Sequence, residues 1–414
     1  MLNADVVVVG GGPAGSAAAI TLARAGREVV VLDKARFPRD KCCGDGLTTG
    51  ALRRLDAFGL NPEAVPSWTD VSDAYIRSPS GRALRFPLPR TGGVFAAVAR
   101  RVDLDAALLD LARAAGAKVY DGHAFEGVSQ VSSGLVIDAG GIGPIAARYA
   151  VGCDGMWSPL RKALSVADES GYLGEWHAFR QYFTAVSPEA AQQLWVWFEP
   201  DLLPGYAWSF PLGDGRANVG FGVHRKRGQA TRTLRHLWPE LLARKHVAAL
   251  LGPDAVAEAP HKTWPIPARV GRTQLSGAGG RALFAGDAAR ATDGLTGEGI
   301  AQALETGELA GRCILAAGWS RPDEAARLYR DALRRTLVAD DRLAGWLSGI
   351  LRDQTGARGA VRIAGATDWT RRNFARWMFE DYPRAILATP RRWHRRMLTG
   401  PGAWVGGGNS PPLS

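Results

Sequence analysis

The residues of this chain that could do chemistry begin close to its start. Gly10-x-Gly12-x-x-Gly15 follows a run of valines and opens a small-residue helix, the context in which a glycine turn cradles a pyrophosphate. Gly10 permits the tight turn, Gly12 lets the backbone approach the phosphates, and Gly15 lets helix and strand pack closely. The helix N-terminus adds N–H groups without internal partners and a partial positive charge. Asp33 ends the next apolar run, placed to accept hydrogen bonds from an adenosine ribose. Together these features predict a bound dinucleotide.

Two distant segments select which dinucleotide. Gly152-Cys153-Asp154-Gly155 is followed by Ser158 and Arg161, and Ala285-Gly286-Asp287-Ala288-Ala289 leads into Thr296-Gly297-Glu298-Gly299-Ile300. A flavin carries a ribityl chain and a tricyclic ring beyond its ADP portion and needs this second anchoring point. Asp154 stands at the first of these turns. Asp287 is placed to accept from ribityl hydroxyls. The backbone at Gly299 and Ile300, at a helix start, suits the pyrimidine edge of the ring, where negative charge develops on reduction. The expected cofactor is FAD. A second dinucleotide fingerprint in a strand–helix context is lacking, so the electron donor stays open between transiently bound NAD(P)H, ferredoxin and quinol.

The elements that must position these residues read as an α/β protein. Asp5 to Val9 and Glu28 to Leu32 are buried strands around a helix from Ala14 to Ala25, a βαβ unit of Rossmann type. Leu104 to Ala115 and Glu298 to Leu315 read as helices, and Ala117 to Tyr120 and Leu283 to Ala285 as further strands. Phe179 to Val186, Gln193 to Phe198, Tyr206 to Leu212 and Ala217 to Val223 are aromatic, partly alternating and turn-bounded, the pattern of antiparallel strands. The expected layout is a discontinuous FAD-binding domain over 1–65, 97–163 and 271–320. An antiparallel β-sheet substrate domain covers 66–96 and 164–270. A C-terminal helical region follows over 321–400, then a flexible tail over 401–414.

At this point the chain resembles the flavoproteins built like p-hydroxybenzoate hydroxylase, and within them the geranylgeranyl reductase family. Phe37-Pro38-Arg39-Asp40-Lys41-Cys42-Cys43-Gly44-Asp45-Gly46-Leu47 is similar to that family's cysteine-glycine segment beside the flavin. Tyr206-x-Trp208-x-Phe210-Pro211, with Gly220-x-Gly222 after it, matches its substrate-cavity motif. The resemblance covers roughly residues 1–320. It implies flavin contacts at Ala14, Asp33, Cys43, Gly44, Gly46, Arg101, Ala124, Asp287, Gly299 and Ile300, and substrate contacts at Tyr206, Trp208, Phe210 and Gly220. Two departures stand out. Cys42 replaces a common proline, and Asp293-Gly294-Leu295 has glycine where proline is usual, which would loosen the loop near the ring.

The implied activity is reduction of isoprenoid double bonds on a prenyl diphosphate, lipid, prenylquinone or pigment. Such an alkene has no activating carbonyl, so positioning and a dry apolar cavity must supply much of the effect. Trp195, Trp197, Phe198, Tyr206, Trp208 and Phe210 are candidates to line a greasy channel, with half of them expected to be core. Cys43 is the candidate catalytic residue, as proton donor or substrate-side gate, because an ordinary thiol keeps its proton at neutral pH. The alternatives are an aromatic or polyketide monooxygenase on the same scaffold and a flavin-dependent halogenase. The halogenase reading is weakened because no lysine lies between Lys41 and Lys118.

Composition bounds the rest. The 414 residues include 51 Lys+Arg against 40 Asp+Glu, a net charge of +11, with much of the excess near the C-terminus. There, Trp369 to Trp377 and Arg391 to Arg396 interleave arginines with aromatics, which suits a peripheral contact with anionic membrane. No recognised nucleic-acid-binding fold accompanies the charge. Four cysteines without zinc-site spacing predict no metal and a reduced, cytoplasmic setting.

Overall fold

In a computed structural model of the chain, residues 1–166, 171–225, 234–386, 389–393 and 399–405 are described. The first of three sheets runs, in spatial order, Ser276–Gly277, Ala282–Phe284, Gly143–Gly152, Leu2–Val9, Val29–Asp33 and Lys118–Asp121. All neighbours on this path are parallel except the outermost pair at 276–284. Val6 to Val9 are buried on both faces, which is why they read as an unbroken apolar run rather than an alternating one. Phe125–Val131 and Gly134–Ala139 extend Gly143–Gly152 as an antiparallel meander.

Helix Pro13–Arg24 packs on helix Ile300–Ala317 through small residues. A Cβ on Gly307 would collide with the Ala14 carbonyl, and one on Gly311 would lie 3.1 Å from Thr21. This close approach brings two helix N-termini, capped by Gly12 and Gly299, to one place in the fold.

The second sheet runs Val256–Ala257, Trp176–Thr184, Ala217–His224, Tyr206–Pro211, Leu194–Trp197, Asp73–Arg77 and Ala83–Pro87, with Lys262–Ile266 also paired to Trp176–Thr184. Its pairs are antiparallel except Leu194–Trp197 with Asp73–Arg77. Between the cores, the short strand Ala97–Val98 sends Ala97 into one and Val98 into the other.

The C-terminal helices serve both halves. Helix Pro322–Arg335 buries Tyr329 on the first core, where its hydroxyl donates to the Phe284 carbonyl at 2.7 Å. Leu337–Leu351, Gln354–Ala364 and Asp368–Met378 follow, and Val361, Ala364 and Ala375 enter the second core.

The loose tail expected from 401 needs correction over its first residues. Val94 and Ala403 exchange backbone hydrogen bonds at 2.9 Å, and the Gly402 N–H donates to Gly92 at 2.7 Å. Trp404 donates from its indole to the Leu60 carbonyl at 2.9 Å and sets its ring edge-on to Trp68. One partly buried, hydrogen-bonded indole outweighs the Gly/Pro composition around it. Residues 406–414, like His394 to Arg396 of the arginine-rich stretch, lie outside the described residues.

Candidate active site

A cavity of ≈ 670 Å³ is lined by both sheets and by both helix N-termini. Gly10, Gly12, Ala14, Asp33, Ala124 and Asp154 line one end. Gly10 has φ +106, a conformation that L side chains resist. Gly15 lies behind the surface, where a Cβ would strike the Gly10 carbonyl. Asp33 locks the turn: its Oδ2 accepts from the Gly11 N–H at 2.8 Å and its Oδ1 from the Ala35 N–H at 2.9 Å.

This end fits a diphosphate. A Cβ on Gly12 would lie 3.4 Å from Arg39 Nη2 and 3.9 Å from Arg101 Nη2, so two guanidinium groups share that space with the helix N-terminus. Buried Asp105 orients both, accepting from Arg39 at 2.8 Å and bidentately from Arg101 at 2.7 and 2.8 Å. Asp154 lines the cavity, but its carboxylate caps the helix Pro159–Ala163, accepting from Ser158 Oγ at 2.6 Å and the Leu160 N–H at 2.9 Å.

The middle of the cavity is bordered by Asp287, Gly299, Ile300, Cys43 and Gly44. Burial works against the Asp287 carboxylate, but Lys41, at 2.7 Å, and Arg101 hold it below the usual range. Burial pushes the Cys43 thiol up to about 11, with Arg101 opposing, and its sulfur accepts the Asp45 N–H at 3.3 Å. The loop with the unexpected glycine is not loose. Asp293 Oδ1 accepts from the Leu295 and Thr296 N–H groups at 2.9 and 2.7 Å, and the Trp176 indole donates to the Gly294 carbonyl at 3.1 Å.

Tyr206, Trp208 and Phe210 line the far end from one face of their strand, while Ala207 faces the opposite core. Gly220 is behind the wall, where a Cβ would collide with the Trp208 ring. Gly46 also stays off the surface, with its Cβ position 3.2 Å from the Phe210 ring. A polar network ties the aromatic strand to the cysteine segment. Trp208 Nε1 donates to Asn218 Oδ1 at 3.1 Å, and Asn218 Nδ2 donates to the Cys43 carbonyl at 3.0 Å and Asp45 Oδ2 at 2.8 Å. Tyr182 donates to the same Asp45 oxygen at 2.6 Å. Burial raises Asp45 to about 6 against the pull of Arg180.

Trp195, Trp197 and Phe198 do not line the cavity. Trp195 is opposite Ser209 and Trp197 opposite Ala207, so the register turns both from the face that Trp208 occupies. Trp195 stacks on Tyr75 with centroids 4.9 Å apart, and Phe198 packs behind Tyr206. The wall is completed by Trp176, Trp264, Pro265, Ile266 and Pro267, which sequence reasoning missed. Trp264, Pro265 and Ile266 belong to strand Lys262–Ile266, which carries a proline and is followed by another, a composition that argues against a strand unless it pairs on one side only. Lys41 and Glu298 also line the cavity with no role foreseen for them, although both lay inside recognised motifs.

The FAD binding domain family matches residues 3–315. Menaquinone reductase of Mycolicibacterium smegmatis is 36% identical over 76% of this chain and 77% of its own length. Digeranylgeranylglycerophospholipid reductase 2 of Methanopyrus kandleri is 31% identical over 74% of this chain and 76% of its own. The crystal structure of a geranylgeranyl bacteriochlorophyll reductase-like protein from Thermoplasma acidophilum superposes with a TM-score of 0.75 at 21% identity, covering 95% of this chain and all (100%) of that one. A halogenase, PltM, solved with FAD, gives 0.68 at 19% identity over 87% and 79%, a likeness of fold alone.

Proposed function

The chain belongs to the FAD binding domain family and to its geranylgeranyl reductase group, an FAD-dependent oxidoreductase of carbon–carbon double bonds, and we propose that its substrate is the isoprenoid tail of a quinone. One observation carries the reading. The aromatic face of Tyr206, Trp208 and Phe210 and the Cys43-Gly44 segment border the same cavity as the helix start at Gly299 and Ile300. A hydrocarbon held against that wall meets the place where a flavin ring fits. Among the isoprenoid classes, the quinone is favoured by the relative at 36% identity, a menaquinone reductase.

The residues would divide the work as follows. Gly10, Gly12, Ala14 and the Arg39 and Arg101 guanidinium groups would hold the diphosphate, Asp33 and Ala124 the adenosine end, Asp287 the ribityl chain, and Gly299 and Ile300 the ring's pyrimidine edge. Bound and reduced FAD supplies a hydride from N5. The aromatic wall excludes water and fixes one double bond in reach. Cys43 keeps its proton across the physiological range and acts as the substrate-side gate, packing the alkene against the ring.

Membrane contact is the second part of the proposal. Trp346, Ile363 and Trp369 are 64%, 72% and 64% exposed on the C-terminal helices, and Arg342, Arg352, Arg358, Arg362 and Arg372 are exposed around them. Bulky apolar tips among arginines suit an anionic lipid surface, where a prenyl substrate resides. No helix among the described residues is long and apolar enough to cross a membrane. Salt-sensitive flotation with anionic vesicles is expected, and its absence removes this part.

The central test is anaerobic. The reduced enzyme is incubated with menaquinone, and the product is then exposed to air. A reduced ring reoxidises, whereas a saturated tail stays heavier by two hydrogens. A product changed only in its ring, or one that has gained an oxygen atom under air, rules against tail saturation.

A further inference from the structure

Saturating an alkene consumes a proton with every hydride, and the thiol at the site is a poor source. Cys43 is pushed up to about 11, and a thiolate left there would face Arg101, whose guanidinium is already bound by Asp105. The same cavity holds a better acid. Glu298 lines the flavin cavity, immediately before the Gly299 helix cap. A Cβ on Gly46 would lie 3.5 Å from its Oε1 and 3.2 Å from the Phe210 ring, so this carboxyl sits where the cysteine segment meets the aromatic wall.

A second, polar cavity of ≈ 320 Å³ is lined by Glu380, Gln302, Asp293, Arg384 and Glu305. Thr292 borders both cavities. Glu380 accepts from Gln302 Nε2 at 2.7 Å and from Thr48 Oγ1 at 2.8 Å, with Arg384 at 3.6 Å. The groups that act on Glu298 are Glu380, Asp293 and Asp45 on the acidic side and Arg384 on the basic side, while Cys43 and Tyr206 feel its charge in turn. Arg384 is itself shared with Asp293, at 3.3 Å, and Glu380. Burial first, then repulsion from Glu380 and Asp293, lifts the Glu298 carboxyl to about 8. It therefore holds a proton at neutral pH and can release it near the working pH, as a general acid should.

We propose that Glu298 is the catalytic acid that protonates the alkene, and that Glu380, a positioning residue, recharges it from the polar cavity. This rests on the alkene-reductase reading above and names the acid of that same site. The hydride pair forms a C–H bond to one alkene carbon. The alkene's π pair takes the Glu298 proton to form the second C–H bond. A carboxylate remains, and the substrate gains the two electrons that the reduced cofactor loses. The carboxylate regains a proton through Glu380 from solvent, and the enzyme's own electron donor restores the reduced cofactor.

The test compares holoenzymes. Glu298→Gln should retain FAD by its visible spectrum, and its rate of electron transfer from reduced flavin to an artificial dye is the reference against which its alkene rate is read. Reoxidation of its flavin by an isoprenoid should fall by about a hundredfold or more. Glu298→Asp should recover part of that rate. Wild-type alkene-dependent reoxidation should decline as pH rises through about 8, because the acid is then ionised, and the Gln variant should lack that limb. Glu380→Gln should lower kcat and leave KM unchanged. In flavin-free protein, the infrared C=O band of a protonated carboxyl should disappear over the same pH range and be missing in Glu298→Gln. An active wild type matched by Glu298→Gln, or no titrating band, overturns the assignment of the acid alone. A wild type that saturates no isoprenoid overturns the functional reading beneath it.

Discussion

The two ends of the flavin cavity are built by different means. The end proposed for the diphosphate is mostly backbone: a glycine turn and a helix N-terminus, held by a carboxylate, Asp33, that accepts two backbone N–H groups, with Arg39 and Arg101 beside it. The hydrocarbon end is side chains, with one strand presenting Tyr206, Trp208 and Phe210 while its neighbours Ala207 and Ser209 turn away. Backbone sites admit no change of shape, because atoms are already in contact. A side-chain wall can change volume and still stand. Cofactor binding is therefore the brittle property of this molecule, and substrate choice the tunable one.

The most severe break of this contrast should come at Gly15. A Gly15→Val side chain has no room beside the Gly10 carbonyl, so the purified variant should be colourless, with FAD content near zero by absorbance. A variant that binds FAD normally would show that the turn is more pliable than its contacts allow. Next is Trp208→Ala, which opens the wall and leaves Asn218 Oδ1 without its indole donor. KM for a prenylquinone should rise by about tenfold to a hundredfold, roughly 1.4–3 kcal/mol of lost contact, with FAD retained. Cys43→Ala should also keep FAD and slow alkene reduction by about tenfold, the cost of a looser near-attack geometry. Unchanged turnover would remove Cys43 from the chemistry. The mildest functional effect belongs to Trp195→Ala. Its ring stacks on Tyr75 away from the cavity, so thermal stability should drop by about 2 kcal/mol while KM stays within about twofold. A KM change there like that of Trp208→Ala would contradict the division of the two faces.

The same contrast explains what could be read before any coordinates. A phosphate-binding turn demands glycine at fixed spacing because no other residue fits, so Gly10-x-Gly12-x-x-Gly15 is visible in a single chain. The alternating aromatics of 206–210 are equally visible, but which of the six aromatics face inward is not. That depends on pairing Trp195 with Ser209 and Val196 with Trp208, a long-range register. Strand 262–266 hid behind Pro265 and the Pro267 that follows it. Glu298 stood in plain view as part of a motif, yet its hold on a proton arises first from burial and then from Glu380, Asp293 and Asp45, brought from other segments. Local pattern names the residue type, and only the assembled neighbourhood sets its charge.

Trp404 gives the fold an unusual timetable. Its backbone N–H donates to Asp56 across a separation of 348 residues, joining segments made far apart in time. A chain growing from its N-terminus can form the βαβ unit early, but this seam must wait until residue 404 has been made. Maturation of the holoenzyme would then be a late event, and a chain broken off before this closure would emerge with its nucleotide fold begun and its hem unstitched.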